Sequence, residues 1–393
     1  MGDLLLVHGS PSVPRDDGTG FPGMMFAGTT SRSAVIMDVM SASSASSPVS
    51  CPPVVVLPGL HTAIPTVAGD DRTLLLDAEG AVREVVDDTL RECGYRLDRP
   101  EGEVVATLHR DLLVVAENDG LRCRDITSGA ERWVSPLRAE EVCLSQDATL
   151  VWVVERLDPE HLALHCLDAS DGDTIARGAL KDPFFPSVTR LHAVAVTTTP
   201  GAQQMMLDLG GGQDGIGSWL LTLTQGVGRK KIRATELFPR QDRALVAWSP
   251  SGRRALVWDN DDYRHLSCDW AGVKPVVTVE GDPQVFAEVE GVGFWETFLT
   301  EDLALVQSGD ARIWGFDPAA LTLGRELEVE GFPPVPGREI FDVDSDETYA
   351  PFPFRDRSGR HLVLTTWARH DGNRQTVVVR IEDIVAALAV RLP

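Results

Sequence analysis

One hairpin-like phrase recurs along this chain, and its spacing limits the fold more than any other feature. From Cys123 to Ser135 the sequence reads CRDITSGAERWVS, and from Cys166 to Gly178 it reads CLDASDGDTIARG. Both hold Cys, Asp and Gly at the same intervals (Cys123, Asp125, Gly129; Cys166, Asp168, Gly172). Weaker copies carry Asp77 with Gly80, Asp269 with Gly272, and Asp317 with Gly324. The aspartates step by 48, 43, 101 and 48 residues, so the third step spans two periods. The copy within that double step is SWLLTLTQGVGRKKIRA, around Thr224 to Gly228, and a divergent last copy is VVVRIEDIVAALAV, near Asp383. The result is seven units of about 40–50 residues, a period that marks a repeat architecture.

Each copy reads as an apolar strand, a polar turn and a second strand. Aspartate bonds the backbone of its own turn and glycine supplies positive φ at no steric cost. The motif therefore predicts a hairpin, and turn chemistry accounts for its aspartate. A second hairpin lies upstream in several units: AWSPSGRRALVW from Ala247, FRDRSGRHLVLTTW from Phe354 and CLSQDATLVWVV from Cys143. Two hairpins make four strands, expected in the second unit at 103–108, 111–116, 120–125 and 130–135. Four antiparallel strands repeated seven times predict an all-β fold, a seven-bladed β-propeller. It is expected over residues 51–393; the tail IEDIVAALAVRLP alone has helical propensity, but the count of strands requires part of it as the outer strand of unit seven. Residues 1–50 stand apart, ending in the Ser-rich linker SASSASSPVSCPP. Their apolar pieces LLLVHG, GMMFAG and SAVIMDVM leave three readings open: a strand that helps close the ring, an eighth blade, or a disordered leader.

CRDITSGAERW resembles the repeat of quinoprotein-type propellers, and AWSPSGRRALVW resembles the Ser-Pro-x-Gly turn of WD-type propeller repeats. The resemblance implies architecture alone, because such blades occur in propellers of many functions. Quinone-binding members of the first family are usually larger and exported, and many carry adjacent cysteines at the cofactor. Here no two cysteines are adjacent, and no cofactor is expected.

Charge narrows the partners. With 36 Lys+Arg against 59 Asp+Glu, the net charge is −23. Such a surface repels phosphate backbones and anionic bilayers and suits basic or neutral partners. No apolar run approaches the ~20 residues of a membrane-spanning helix. The start, MGDLLLVHGSPSVPRDD, has no basic region ahead of its short apolar run, so a cytoplasmic, monomeric protein with reduced thiols is expected. The six cysteines lack metal-ligand spacing and read as small buried apolar groups on strands.

Residues that could carry chemistry are few. Asp342, Asp344 and Asp346 form a weak candidate for a cation site, although the Gly and Glu of a calcium loop are replaced by Glu347 and Pro353. His161 and His165 would share one strand face about 13 Å apart, too far for one metal. The glycine-rich run Leu207 to Trp219 lacks a phosphate-binding Lys and reads as a hairpin loop. No nucleophile motif is present. What remains is the face built from loops between units, where Phe184, Phe185, Phe238, Trp295 and Phe332 stand near prolines. An apolar patch ringed by acid predicts a docking face for a protein or peptide partner, with packing between blades as the competing fate of these aromatics. A lyase or hydrolase site in the central channel, drawing His, Asp or Glu from several innermost strands, is the enzymatic alternative.

Overall fold

The computed structural model describes residues 48–59, 61–64, 71–77, 79–97, 105–158, 160–181, 190–196, 198–199, 201–210, 216–239, 241–259, 261–262, 264–282, 296–307, 312–332, 357–358, 360–366 and 375–389. They begin with two short strands, β1 (Val49–Cys51) and β2 (Val55–Pro58), which join the last two blades. Blade 1 follows as β3 (His61–Ala63), β4 (Thr73–Asp77), β5 (Ala81–Val86) and β6 (Thr89–Arg96). Blade 2 is β7 (Ala106–His109), β8 (Leu112–Glu117), β9 (Gly120–Asp125) and β10 (Glu131–Ser135). Blade 3 is β11 (Ala139–Leu144), β12 (Leu150–Asp158), β13 (His161–Asp168) and β14 (Thr174–Lys181). Blade 4 is β15 (Arg190–Val196), β16 (Gln204–Gly210), β17 (Ile216–Gln225) and β18 (Lys230–Glu236). Blade 5 is β19 (Arg243–Trp248), β20 (Arg254–Asp259), β21 (Arg264–Ala271) and β22 (Lys274–Glu280). Blade 6 is β23 (Glu296–Phe298), β24 (Ala304–Gln307), β25 (Ile313–Asp317) and β26 (Thr322–Val329). Blade 7 is β27 (Arg357–Ser358), β28 (His361–Thr366) and β29 (Gln375–Arg380), and the helix α1 (Ile381–Ala389) ends the described chain.

This is the seven-bladed, all-β propeller the repeat predicts, and the eight-bladed count does not apply. The expected strands of the second unit lie within three residues of β7 to β10. Among the described residues, seven apolar clusters, one per seam between neighbouring blades, hold the ring together. The seam of blades 3 and 4 buries Leu150, Trp152 and Val154 against Met205, Leu207 and Leu209. The seam of blades 2 and 3 takes the alternate residues Val151 and Val153. A middle strand thus has a neighbouring blade on each face, which is why β12 and β29 read as unbroken apolar runs. Outer strands have solvent on part of their surface, and β22 alternates residue by residue.

Closure differs from the sequence expectation. The tail does not supply the outer strand of blade 7. Residues 381–389 are helical, with Glu382 and Asp383 in the first turn, where the helix dipole favours acid. The outer strand is β2, which pairs antiparallel with β29 from Val55↔Val378 to Pro58↔Gln375. β1 adds a fifth strand to blade 6, parallel to β26. Val49 and Ser50, placed in the N-terminal segment by composition, therefore belong to the propeller.

The motif aspartates do close turns. Asp125 Oδ1 accepts from the backbone N–H of Thr127 and Ser128 at 3.1 and 3.0 Å, and Asp168 Oδ1 accepts from Ser170 N–H at 2.9 Å. Both turns join the third and fourth strands of a blade. The Asp77 turn looks alike but joins the second and third strands of blade 1, at the opposite end of the sheet. Its 48-residue offset from Asp125 therefore does not mark an equivalent position. In blade 6, Gly324 lies inside β26, and Leu321 takes the left-handed conformation with φ 55°.

The motif's glycine and tryptophan serve the seams. Gly172 has φ +78°, and a Cβ there would come within 2.8 Å of the Trp133 ring from the preceding blade. Trp133 Nε1 donates to Ala169 O at 2.9 Å. Tyr95 of blade 1 lies against Gly129 of blade 2 in the same way, its ring 2.7 Å from where a Cβ on that glycine would sit. Five of the six cysteines are buried and all are unpaired; burial pushes the Cys123 thiol up to about 11 and the Cys166 thiol to about 12.

Polar ties link the turns between first and second strands of adjacent blades. Gln203 Nε2 donates to Asp147 Oδ2 at 2.7 Å across blades 4 and 3. Arg360 reaches Asp71 at 2.5 Å across blades 7 and 1. Burial opposes the Asp147 charge, but hydrogen bonds from Ser145, Thr149 and Gln203 outweigh it and bring the carboxyl down to about 2. The sign follows from linkage: a depressed folded pKa adds stability above the unfolded value, ~3.9, and that stability is lost as pH falls. Asp147→Asn should therefore flatten the acid dependence of unfolding between about pH 4 and pH 2, read by urea denaturation at each pH.

Candidate functional site

The turn between β19 and β20 reads Ser249-Pro250-Ser251-Gly252. Proline presets φ at the second position, Gly252 closes the turn with φ 69°, and its N–H bonds Ser249 O at 2.8 Å. In an antiparallel blade this turn shares one end with the turn between the third and fourth strands. Trp248, before the first turn, and Trp270, before the second, thereby meet across the small side chain of Ala255, which is fully buried between them in the sheet. Their rings stack with centroids 4.9 Å apart and planes within 5°.

A recess of about 490 Å³ opens at this end, lined by Thr198, Gly252, Arg253, Arg254, Asp269, Trp270, Glu301 and Asp302. Blades 4, 5 and 6 all contribute. The walls are tied. Glu301 of blade 6 accepts from Ser251 N–H at 2.6 Å and from Ser251 Oγ at 2.8 Å. Desolvation works against the Glu301 charge, yet the bonds from Ser251 and Ser249 prevail and hold its carboxyl below the ordinary range. Arg254 faces Asp269 at 3.5 Å. Three carboxylates and two guanidiniums thus surround an indole whose position is set by a second indole.

Of the aromatic residues singled out from sequence, Phe238 and Phe332 are described, and neither lines the recess. Phe238 and Phe332 are 7% and 3% exposed. Phe238 packs in the seam of blades 4 and 5, and Phe332 in the seam of blades 6 and 7. Burying a side chain of that size stabilises by roughly 1.5–3 kcal/mol, so packing claims these two rings and they are not displayed for docking. Phe184, Phe185, Trp295, Asp342, Asp344 and Asp346 lie outside the described residues. Among the described residues no group of three His, Cys, Asp or Glu is placed to hold a metal ion. His161 bonds Asp158 at 2.9 Å, and His165, on the same strand face, lies 3.3 Å from Glu155.

The innermost strands carry His109 and Glu296, both buried. Glu296 pairs with His265 of blade 5, and both side chains are fully shielded from solvent. The His265 ring lies between Trp258 and Phe316, at 4.8 and 5.8 Å between centroids. This pair belongs to the seam of blades 5 and 6.

Sequence reasoning passed over the recess, although Trp248 and Trp270 both stand in repeat hairpins. The available signal was positional: each precedes a turn on the same end of its blade, so their side chains converge there.

No family model and no curated protein matches the sequence. Among solved structures, the chain is similar to BamB from Moraxella catarrhalis, with 12% identity over 82% of this chain and 86% of that chain and a TM-score of 0.40. It is also similar to the Cps50 (Swd1) β-propeller domain of Myceliophteria thermophila, with 12% identity, coverage of 83% and 98%, and a TM-score of 0.49. A third likeness is to the computationally designed Ika8 protein, with 13% identity, coverage of 84% and 99%, and a TM-score of 0.45.

Proposed function

We propose that this propeller is a non-catalytic binding module for a protein or peptide, and that the recess beside Trp270 receives a basic side chain of that partner. The observation that carries this reading is the recess itself: an indole held by stacking and flanked by Asp269, Glu301 and Asp302, whose three carboxylates outnumber the two guanidiniums of Arg253 and Arg254 in the same lining. A guanidinium or ammonium over an indole face gains about 0.5–2 kcal/mol, more when nearby carboxylates share the charge. The net charge of −23 favours encounter with such a partner. Ties between blades keep the walls in place, which lowers the ordering cost of binding.

The test is a fluorescence titration with the tripeptides acetyl-Gly-Arg-Gly-amide and acetyl-Gly-Glu-Gly-amide. The arginine peptide should perturb the tryptophan emission saturably, and its affinity should fall roughly two- to fivefold in Asp302→Asn and again in Asp269→Asn. Trp270→Phe should remove most of the signal. Equal responses to the acidic and basic peptides, or full affinity in the doubly neutralised variant, would rule the reading out.

A further inference from the structure

The outer strand of blade 4 reverses the charge of its surroundings. In a chain of net charge −23, Arg229, Lys230, Lys231 and Arg233 fall within five residues, and all four are exposed. On two other outer strands arginines are engaged, Arg91 with Glu84 and Arg132 with Asp111 and Asp125, while the neighbouring β14 carries the single exposed Arg177. Arg229, Lys230, Lys231 and Arg233 are in no ion pair among the described residues; Lys230 is within electrostatic reach of Asp168 but does not bond it. Ile232 points the other way from Lys231 and Arg233, into the seam with blade 3, where it meets Gly178.

β18 is also the terminal strand of its sheet, with one edge unmatched by another strand among the described residues. This fold fills such edges elsewhere by adding a strand. β1 lies parallel on the outer edge of blade 6, and β2 lies antiparallel on the outer edge of blade 7. We propose that the edge of β18 is a docking strand for an acidic extended segment of a partner protein, which adds to blade 4 as β1 adds to blade 6. Lys231 and Arg233 share a face about 6.6–6.8 Å apart, so Asp or Glu at alternate positions of the added strand stand opposite them. Main-chain bonds supply affinity and the paired charges supply specificity. Nucleic acid and anionic bilayers present far larger negative fields, which the rest of this acidic surface repels. The surface is separate from the recess beside Trp270 and takes the opposite charge.

The test uses the full-length protein and a labelled peptide of four Val-Asp repeats, followed by fluorescence anisotropy at about 50 mM salt. Saturable binding is expected, weakened roughly tenfold in Lys231→Glu/Arg233→Glu. A peptide of the same sequence N-methylated at every residue keeps its charge but offers no N–H on either edge for strand pairing, and it should not bind. Asp302→Asn should leave the binding unchanged, which separates this surface from the recess. Equal affinity of the charge-reversed variant, or of the N-methylated peptide, would overturn the proposal. So would tighter binding to heparin or to phosphatidylserine vesicles than to the peptide. No saturable binding would leave these cations as a guard against edge-to-edge aggregation and would likewise overturn it.

Discussion

A chain starting at Leu60 is expected to lose the closed ring, measured against a chain starting at Pro48. Without β2, the third strand of blade 7 becomes an open edge, and Val377, Val378 and Val379 lose cover on one side. Leu57 packs with Val363, Val378, Ala63 and Leu75 in the seam of blades 7 and 1, so its loss also loosens blade 1. Cys51 leaves the seam of blades 6 and 7 with β1. Burying each such side chain stabilises by roughly 1.5–3 kcal/mol, and each paired backbone bond adds about 0.5–1.5 kcal/mol. The sum exceeds about 5 kcal/mol, comparable with the whole stability of many domains. The shortened chain should elute as aggregate on gel filtration and show no cooperative melt. A peptide of residues 48–59 added in excess should restore part of the melt by mass action. An unchanged melt in the shortened chain would show that closure does not depend on these strands.

The second large effect concerns the motif glycine. Gly172→Ala is expected to destabilise by roughly 2–5 kcal/mol: about 1–2 for a Cβ in the left-handed region and about 1–3 for crowding the Trp133 ring. Trp133→Ala removes that ring and its bond to Ala169 O, at a cost of about 3–5 kcal/mol. In the double variant the crowding is gone and only the backbone strain remains. The combined loss should therefore fall short of the sum by about 1 kcal/mol or more, read by urea denaturation of all four proteins. Simple additivity would show that Gly172 matters for its φ alone and that the two blades do not interlock at this point.

Much of the architecture was legible because turn chemistry is local. Asp125 and Asp168 bond their own turns, and Gly129 and Gly172 take positive φ, whatever surrounds them. The alternation and the unbroken apolar runs follow from which strands have neighbours on both faces. The same locality misled at Asp77, whose turn has the right residues but joins the wrong pair of strands. At the tail the local helical propensity was right, and the strand count that overrode it was wrong, because the partner of β29 comes from the other end of the chain. Phe238 and Phe332 are aromatic residues near loops, and sequence carries no sign of which seam lies beneath them.

The amino-acid sequence by itself determined the seven-fold repeat, the hairpins and the acidic balance, since each depends on residues a few positions apart or on composition. Tertiary structure alone decided what those hairpins touch. It set Trp133 on the turn of the next blade, stacked Trp248 on Trp270 above a tied recess, and, among the described residues, left the basic edge of β18 without a strand while β1 and β2 covered two others. These contacts join residues on separate strands or blades, and only closing the ring brings them together.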